Sequence, residues 1–228
     1  MFNIPTQRLA KVTVTETTSA VTLSVNPIVI AALSFTPQHL LVRAEMLAVG
    51  STYPNIYTRF NGDAGSNYNV QVLTAYGTTK AAGGEADVTG IGLLGNIGPN
   101  ANQWTPGEIL LPDALSTRTH KSALSYSGRY DAVVRTAAGR WASTAAITSV
   151  TLYAAPDSSF APFAAGSTFE LCVVDESFNI DQDGDGQQIL GSDGTFSVGS
   201  ISAADGDLVC IGNVRSDREA NWDAVDMK

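Results

Sequence analysis

The sequence predicts an all-β protein built as an antiparallel sandwich or barrel, and three observations lead to this prediction. Apolar and polar residues alternate with a period of two along most of the chain, as in strands with one buried face. The alternating runs are rich in Val, Thr, Tyr and Ile, which a half-buried sheet favours, and turn residues separate them. No window of twelve residues carries a convincing helical period.

The strand-like runs begin near the N-terminus. The first two, Lys11–Glu16 and Ala20–Val25, predict a β-hairpin or a pair of extended arms. Seven further runs predict strands: Leu40–Leu47, Asn55–Phe60, Asn69–Thr74, Ser122–Ser127, Ala132–Thr136, Ile147–Ala154 and Thr168–Val174. The stretch Thr78–Thr105 has little strand character and is rich in Gly, Ala and Asn, so we expect a surface excursion there, at a subunit contact.

Charge is distributed unevenly along the chain of 228 residues. It carries 13 basic and 22 acidic side chains, a net charge of −9, and the last part, residues 170–228, holds 3 of the basic and 13 of the acidic ones. This composition excludes a basic nucleic-acid binder, a disordered polyampholyte and a coiled coil. The apolar stretch Ile28–Leu33 is too short to span a membrane, and we expect no secretory signal. We therefore expect neither a nucleic-acid nor a membrane partner. Cys172 and Cys210 lie in apolar runs, which favours buried free thiols over a disulfide.

A weak internal repeat marks the acidic end of the chain. Leu33-Ser34 and Leu40-Leu41-Val42 match Ile201-Ser202 and Leu208-Val209-Cys210 at one constant offset. The repeat indicates a second copy of the domain, cut short at Lys228. We expect four parts: an N-terminal arm or hairpin (1–26), a β-sandwich (27–175), an acidic Gly/Asp-rich linker (176–195) and the opening strands of a second, truncated sandwich (196–228).

One segment of the acidic linker follows the pattern of a calcium loop. In Asp181-Gln-Asp183-Gly-Asp185-Gly186, carboxylates at alternate positions could converge on a hard cation, and glycine permits the sharp turn. Position twelve of such a loop needs a bidentate acid, and here it is Ser192. Two interpretations stay open: a structural Ca²⁺ bound by Asp181, Asp183 and Asp185, and a polar linker without an ion. We expect no other cofactor.

No motif in the chain predicts catalysis. Gly90-Ile-Gly92-Leu-Leu-Gly95 fits the glycine spacing of a dinucleotide-binding turn, but the residues after it cannot propagate a helix, so a flexible loop is favoured. The two histidines, His39 and His120, lack a nucleophile motif or a zinc-binding partner. Glu45 and Asp63 could form a carboxylate pair, but any β-protein offers such pairs. We therefore expect that the protein is not an enzyme.

The most distinctive segment is Arg59-Phe-Asn-Gly-Asp-Ala-Gly-Ser-Asn-Tyr68. Asn-Gly and Asp-x-Gly favour positive φ and tight reversals, so the segment predicts a hydrogen-bonded turn between two strands. A ligand site on this turn is the alternative. We expect Trp141 to pack in the interior with its indole N–H on a carbonyl.

Three segments in order resemble a domain that recurs in virion proteins of tailed bacteriophages: Arg59–Tyr68, then Trp141 with Ser143–Ser149, then Phe163–Phe169. The resemblance covers residues 30–175, and Val209–Arg218 resembles an early strand and turn of the same domain. It implies a jelly-roll-like β-sandwich of the kind found in capsid decoration proteins and in tail-fibre or tailspike modules. It also implies a homotrimer that binds a surface, and it supplies no catalytic residues.

Our leading expectation is a capsid decoration, or cement, protein on the exterior of the virion, made in the cytoplasm of the host bacterium. Its partners would be the major capsid protein and other copies of itself, and the arm (1–26) would exchange strands with a neighbour or with the capsid. The alternative is a tail-fibre or receptor-binding module that recognises host glycans. An exposed aromatic row would then bind the sugar, and the candidates are Tyr53, Tyr57, Tyr68, Tyr76 and Trp104.

Overall fold

The computed structural model describes residues 6–33, 37–49, 54–95, 97–98, 103–129, 133–154 and 163–174. The chain divides into two units, Met1–Phe178 and Asn179–Lys228, and every described residue lies in the first. The predicted linker (176–195) and second sandwich (196–228), including the repeat and Cys210, therefore lie outside the described residues.

Twelve strands and one short helix form the described part of the chain. In order they are β1 (Thr6–Thr13), β2 (Ala20–Ser24), α1 (Pro27–Ala31), β3 (Leu40–Met46), β4 (Ile56–Phe60), β5 (Tyr68–Tyr76), β6 (Thr79–Val88), β7 (Ile91–Leu94), β8 (Thr105–Leu111), β9 (Lys121–Arg129), β10 (Val133–Trp141), β11 (Ser149–Ala154) and β12 (Thr168–Val174). They make an eight-stranded sheet, in the order β1-β12-β3-β8-β9-β10-β5-β6, and a four-stranded sheet, in the order β2-β11-β4-β7. All pairings are antiparallel, which confirms the predicted all-β sandwich. The jelly-roll-like connectivity stays a prediction.

The hydrophobic core lies between the two sheets. Along β11, the buried residues Val150, Leu152 and Ala154 alternate with partly exposed ones, so the strand turns one face to the core, as its period of two predicts. Aromatic side chains fill much of the core, among them Phe60, Tyr68, Trp141, Phe163 and Phe169. A second, smaller cluster of Leu41, Cys172 and Val174 lies apart from this core. Residues such as Leu41 alternate with core residues, so they belong to the face of the large sheet that points away from the core, called here the outer face.

The prediction of a separate arm or hairpin at residues 1–26 differs from what the structure shows. β1 pairs with β12 in the large sheet and β2 pairs with β11 in the small sheet, so the two strands do not pair with each other. Leu9, Val21 and Leu23 are buried in the core. Strands β1 and β2 therefore belong to the sandwich, because their alternation supplies each sheet with a buried side.

The stretch Thr78–Thr105, for which the sequence indicated little strand character and a surface excursion, contains strands β6 and β7 and the start of β8. β6 forms a hairpin with β5, and Gly77 in the turn takes the positive φ of 54° that a tight reversal needs. Every residue of β6 from Thr79 to Asp87 is exposed, so the strand needs no alternation in its sequence. β7 has the opposite character, because all four of its residues are buried.

The helix α1 carries no periodic signal because it has only five residues. Its start is encoded locally. The Asn26 side chain accepts hydrogen bonds from the main-chain N–H groups of Ile28 (3.0 Å) and Val29 (3.4 Å), and Pro27 occupies the first turn.

Candidate functional site

A row of charged residues crosses the outer face of the large sheet. In register, Lys11 on β1 lies opposite Glu170 on β12, and Glu170 lies opposite Arg43 on β3. Arg43 in turn lies opposite Glu108 on β8, and Glu108 lies opposite Tyr126 on β9. Cations and carboxylates thus alternate across neighbouring strands, the arrangement in which directly opposite charges attract. We call these five residues the charged row.

Each carboxylate of the charged row has partners. Lys11 Nζ lies 3.0 Å from Glu170 Oε1, and Arg8 Nη1 lies 3.3 Å from the same oxygen. The hydrogen bond from Lys11 is the main cause that holds the pKa of Glu170 below its usual range, against the effect of burial. Glu108 is only 5% exposed; Arg43 Nε donates to its Oε1 at 3.3 Å and the Tyr126 hydroxyl donates to its Oε2.

A groove of about 490 Å³ runs beside the charged row. Besides the row itself, it is lined by Glu45, Pro106 and Thr168, among others. Because the carboxylates of Glu108 and Glu170 are engaged by cations, the groove offers a polar surface with largely balanced charge. Such a surface suits contact with another polar surface.

Three large apolar side chains are exposed on the other half of the outer face. Leu73 on β5, Leu124 on β9 and Val134 on β10 are 60%, 49% and 64% exposed. They lie around Thr136 of β10. Thr136 is opposite Leu73, Val134 is two residues before it on the same strand, and Leu124 is diagonally across on β9. We call the three large side chains the apolar patch. Large apolar side chains grouped on one face mark an interaction surface more often than scattered ones do.

The hairpin of β5 and β6 forms the edge of this half of the large sheet, with β6 as the edge strand. Along β6, residues Thr79–Asp87 are exposed on both faces, and among the described residues no strand pairs with its outer edge. The middle of the strand, Ala81–Gly84, carries only small side chains. An edge of this kind presents main-chain N–H and C=O groups to a neighbouring strand.

The predicted turn after β4 is confirmed. Asn61 and Gly62 have φ of 54° and 69°, and the N–H of Asp63 donates to the carbonyl of Phe60 at 2.9 Å. The turn carries the chain from the small sheet (β4) to the large sheet (β5).

The carboxylate of Asp63 organises this turn. It accepts hydrogen bonds from Trp141 Nε1 (2.7 Å), from the N–H of Gly65 (2.8 Å) and from Asn67 Nδ2 (2.9 Å). The bond from Trp141 is the main cause that lowers the pKa of Asp63. Trp141 is buried as expected, but its indole N–H meets a carboxylate and not a carbonyl. Burial raises the pKa of the Tyr68 phenol to about 12, and its hydroxyl donates to the carbonyl of Asp63 at 2.9 Å.

Asn61 connects the same turn to the segment before β11. Its Oδ1 accepts from the main-chain N–H groups of Thr148 (2.7 Å) and Ser149 (3.1 Å), and its Nδ2 donates to the carbonyl of Ala146 (2.8 Å). Two of the three segments that carry the phage resemblance are thus bonded to each other. The alternative of a ligand site on the turn has no support here, because the polar groups of Asn61 and Asp63 are bonded within the protein.

The three glycines of the dinucleotide-like pattern serve packing. The pattern spans β7, and no helix follows it among the described residues. A Cβ at Gly90 would lie 2.1 Å from the hydroxyl of Tyr153, and one at Gly95 would lie 2.4 Å from Cδ of Arg135. The Arg135 guanidinium donates from Nη2 to the carbonyl of Gly92 at 2.7 Å. The prediction of a flexible loop is wrong, since a buried strand occupies this position.

The remaining candidate residues are spread over the molecule. His39 Nδ1 accepts from the N–H of Asp113 at 2.7 Å, and His120 is exposed just before β9. Glu45 is exposed on β3, whereas the Asp63 carboxylate accepts a hydrogen bond from Trp141 within its turn, so the structure does not show them as a pair. Cys172 is a free, buried thiol whose pKa burial raises, as predicted for its thiol state.

The calcium-loop residues Asp181, Asp183 and Asp185 lie outside the described residues, so the calcium site stays a prediction. Within the described ranges, no group of three or more His, Cys, Asp or Glu side chains could hold a metal ion. In the same ranges, no helix is long and apolar enough to cross a membrane.

The aromatic candidates for glycan binding do not form one row. Tyr68 is buried, Tyr76 and Trp104 are 43% and 40% exposed, and Tyr53 lies outside the described residues. Tyr57 packs instead against Tyr153 on the small sheet, with 6.0 Å between ring centroids.

Tyr153 was not among the aromatic candidates predicted from the sequence. Its position on β11 alternates with the buried Leu152 and Ala154, and this alternation is the signal that could have found it. The Arg59 guanidinium lies 4.4 Å from the centroid of the Tyr153 ring, close enough for a cation–π contact.

Comparison with known proteins found no match. No family model matches the chain, no curated protein matches it, and no solved structure matches it.

Proposed function

We propose that the protein is a structural protein of a tailed bacteriophage, a decoration or cement protein that binds the outer surface of the head and stabilises it. The observation that carries the proposal is the β5–β6 hairpin, whose outer strand is exposed on both faces and pairs on one side only among the described strands. Such an edge binds by adding its strand to a neighbouring sheet. The three-segment resemblance to phage virion proteins supports the same function.

Two exposed surfaces support the proposed partners. The edge of β6 and the groove beside the charged row would contact the major capsid protein and neighbouring copies, and the copies would assemble as a homotrimer on the capsid exterior. Head-to-tail contacts through an edge strand generate closed rings when the rotation closes. Strands β1 and β2, which lie within the arm first expected at residues 1–26, pair within the sandwich. Because β1 and β2 are strands of the sandwich, they contribute to its stability and are not a detachable arm.

The proposal is tested with phage heads from which the protein has been removed genetically. Purified protein should saturate sites on the outer surface in electron-microscopy maps and raise the temperature at which heads rupture. Gly83→Lys places a charge on the β6 edge where a new Cβ meets nothing within 4 Å, so the fold is retained. It should lower occupancy about tenfold, while Ser24→Lys on the edge strand β2 should bind like the wild type. Protein that leaves heads bare, or that appears only on tails, contradicts the proposal.

A receptor-binding module is the second candidate, and the tyrosine pair on the small sheet favours it. Tyr57, Tyr153 and Arg59 form a half-buried aromatic and cationic surface of the kind that stacks on a sugar ring. Purified protein would then adsorb to host cells, and Tyr57→Ala would abolish adsorption. Failure to adsorb at micromolar concentration rules this candidate out.

A further inference from the structure

The eight-stranded sheet has two free edges among the described strands, β1 and β6, and only one of them is protected against pairing. The ladder of β1 shifts register between Arg8 and Ala10, and the strand carries the cations Arg8 and Lys11. A bulge and charged side chains are devices that keep an edge from adding another strand. The ladder of β6 is regular from Thr79 to Glu85, and the middle of this section is uncharged. We call Thr79–Glu85 the regular section.

The turn between β5 and β6 decides which main-chain groups of β6 point away from the sheet. Tyr76 lies opposite Thr79, so the turn has two central residues and its flanking pair is joined by a hydrogen bond. Along an antiparallel ladder, hydrogen-bonded and non-hydrogen-bonded pairs alternate. The odd-numbered residues of the regular section therefore use their N–H and C=O groups on β5. The N–H and C=O groups of the even-numbered residues point to the free edge: Lys80, Ala82 and Gly84.

This edge is complementary to a second copy of itself. Ala82 is the midpoint of the regular section, so an antiparallel copy centred on Ala82 pairs the whole section with itself. Lys80 then lies opposite Gly84 of the other copy, and Ala82 lies opposite its own equivalent. Each residue with free main-chain groups thus meets another one. The three pairs would exchange about six main-chain hydrogen bonds, two for each hydrogen-bonded pair.

We propose that two free copies of the chain pair their β6 edges antiparallel, about a two-fold axis that passes through Ala82 perpendicular to the large sheet. The two large sheets then continue into each other, with their outer faces on the same side. The charges favour this partner, because Lys80 lies near the start of the regular section and Glu85 at its end. Antiparallel pairing brings the basic end of each copy beside the acidic end of the other, and no like charges lie opposite each other.

The surroundings of β6 leave room for a second strand. Residues Thr79–Asp87 are exposed, so the part of the chain that the structure describes does not cover this edge on either face. The small side chains of Ala81–Gly84 let two main chains approach to the usual strand spacing of about 4.8 Å.

The contact is small and therefore reversible. The regular section spans about 23 Å, and a strand edge of this length buries a few hundred Å² in each copy, the size of a weak, transient contact. Pairing of free copies would shield the edge and still release it. This contact does not depend on the proposed function, but a head that binds β6 must separate the two copies.

Sedimentation equilibrium of the full chain, from about 10 µM to about 1 mM, tests the contact without any phage head. The wild-type mass should rise from one copy towards two. A82P removes an N–H that points to the free edge and leaves the β5–β6 ladder intact, so it should weaken association at least tenfold. A82V keeps the N–H and adds a side chain that strands favour, so this matched control should associate like the wild type. Circular dichroism checks that both variants keep the fold.

Cysteine cross-linking tests the register and does not rely on the proline variant. Ala81 lies opposite Gly83 of the other copy in a non-hydrogen-bonded pair, with Cα atoms about 4.5 Å apart, within reach of a disulfide. A mixture of A81C and G83C chains should form this bond under mild oxidation, as peptide mapping shows, at least tenfold more than A81C alone.

Three results would overturn the β6 contact: a wild-type mass of one copy at 1 mM, unchanged association of folded A82P, or equal cross-linking in the mixture and in A81C alone. Decoration of phage heads is measured separately. Protein that pairs through β6 and leaves heads bare would contradict the proposed function only.

Discussion

The indole N–H of Trp141 donates a hydrogen bond to Oδ2 of Asp63 across 2.7 Å, and this bond joins the two sheets of the sandwich. Trp141 ends β10 in the large sheet, and Asp63 follows β4 in the small sheet. The ring of Trp141 also stacks near the Tyr68 ring, with centroids 6.3 Å apart. The turn therefore connects the two sheets, and the side chains of Asn61 and Asp63 are hydrogen-bonded within the protein.

Removal of the Asp63 carboxylate should destabilise the protein by about 2–3 kcal/mol. Asp63→Ala breaks three hydrogen bonds and leaves the N–H of the buried Trp141 without a partner, a cost typical of an unsatisfied buried donor. Urea unfolding followed by tryptophan fluorescence measures the change. Glu16→Ala is the control and should shift the free energy of unfolding by less than about 0.5 kcal/mol. Equal effects of the two changes would contradict the role given to Asp63.

The same carboxylate should make stability depend on pH in the acid range. Folding lowers the pKa of Asp63 from its ordinary value of 3.8, so its contribution is complete above that pH. The contribution is lost as the pH falls through the lower pKa of the folded state. Unfolding curves between pH 6 and pH 2 should therefore show a smaller decline in Asp63→Ala than in the wild type. Glu170→Ala provides a comparison, because the pKa of Glu170 is also lowered.

The two acids of the charged row should differ in their effect on stability. Glu108 is 5% exposed, so Glu108→Ala removes the buried partner of Arg43 and should cost about 2–3 kcal/mol. Glu170 is paired with the more exposed Arg8 and Lys11, so Glu170→Ala should cost less than about 1 kcal/mol. The effect at Glu170 should fall further in 0.5 M NaCl, whereas the effect at Glu108 should persist. The reverse order would show that Glu108 is not the buried member of the row.

A methyl group at Gly95 should be poorly tolerated. The new Cβ would lie 2.4 Å from Cδ of Arg135, in the middle of that side chain, and overpacking of this kind costs about 1–3 kcal/mol. Gly83→Ala is the matched control, since nothing lies within 4 Å of its new Cβ. Thermal unfolding by circular dichroism compares the two. If Gly95→Ala melts at the wild-type temperature, the glycine is not required for the packing of Arg135.

Strands with one buried face could be predicted from the sequence, and the others could not. β2 and β11 alternate between apolar and polar or partly exposed residues, so their sequences show the period of two. β6 has no buried face and β7 no exposed one, so neither alternates, and main-chain pairing decides their structure. The place of β1 and β2 in different sheets depends on partners near the other end of the sandwich sequence, β12 and β11, which local patterns do not encode.

The same limit applies to the outer face. The Asn-Gly turn was predicted because its signal is local. The charged row was not predicted, because Lys11, Arg43 and Glu170 meet only through the register of β1, β12 and β3. Glu45 and Asp63 were considered as a carboxylate pair, and the strand register instead places Glu45 opposite Pro106 on β8.

The pairing of the first strands with the last has a consequence for how the chain folds. Arg8 lies opposite Cys172 in β12, and Val21 lies opposite Leu152 in β11. During synthesis, β1 and β2 emerge first, but they can pair only after β12 and β11, near the end of the sandwich sequence, have been made. Contacts of such long sequence separation slow folding. We therefore expect slow closure of the sandwich, with the edges of β12 and β11 open to chaperones until β1 and β2 dock.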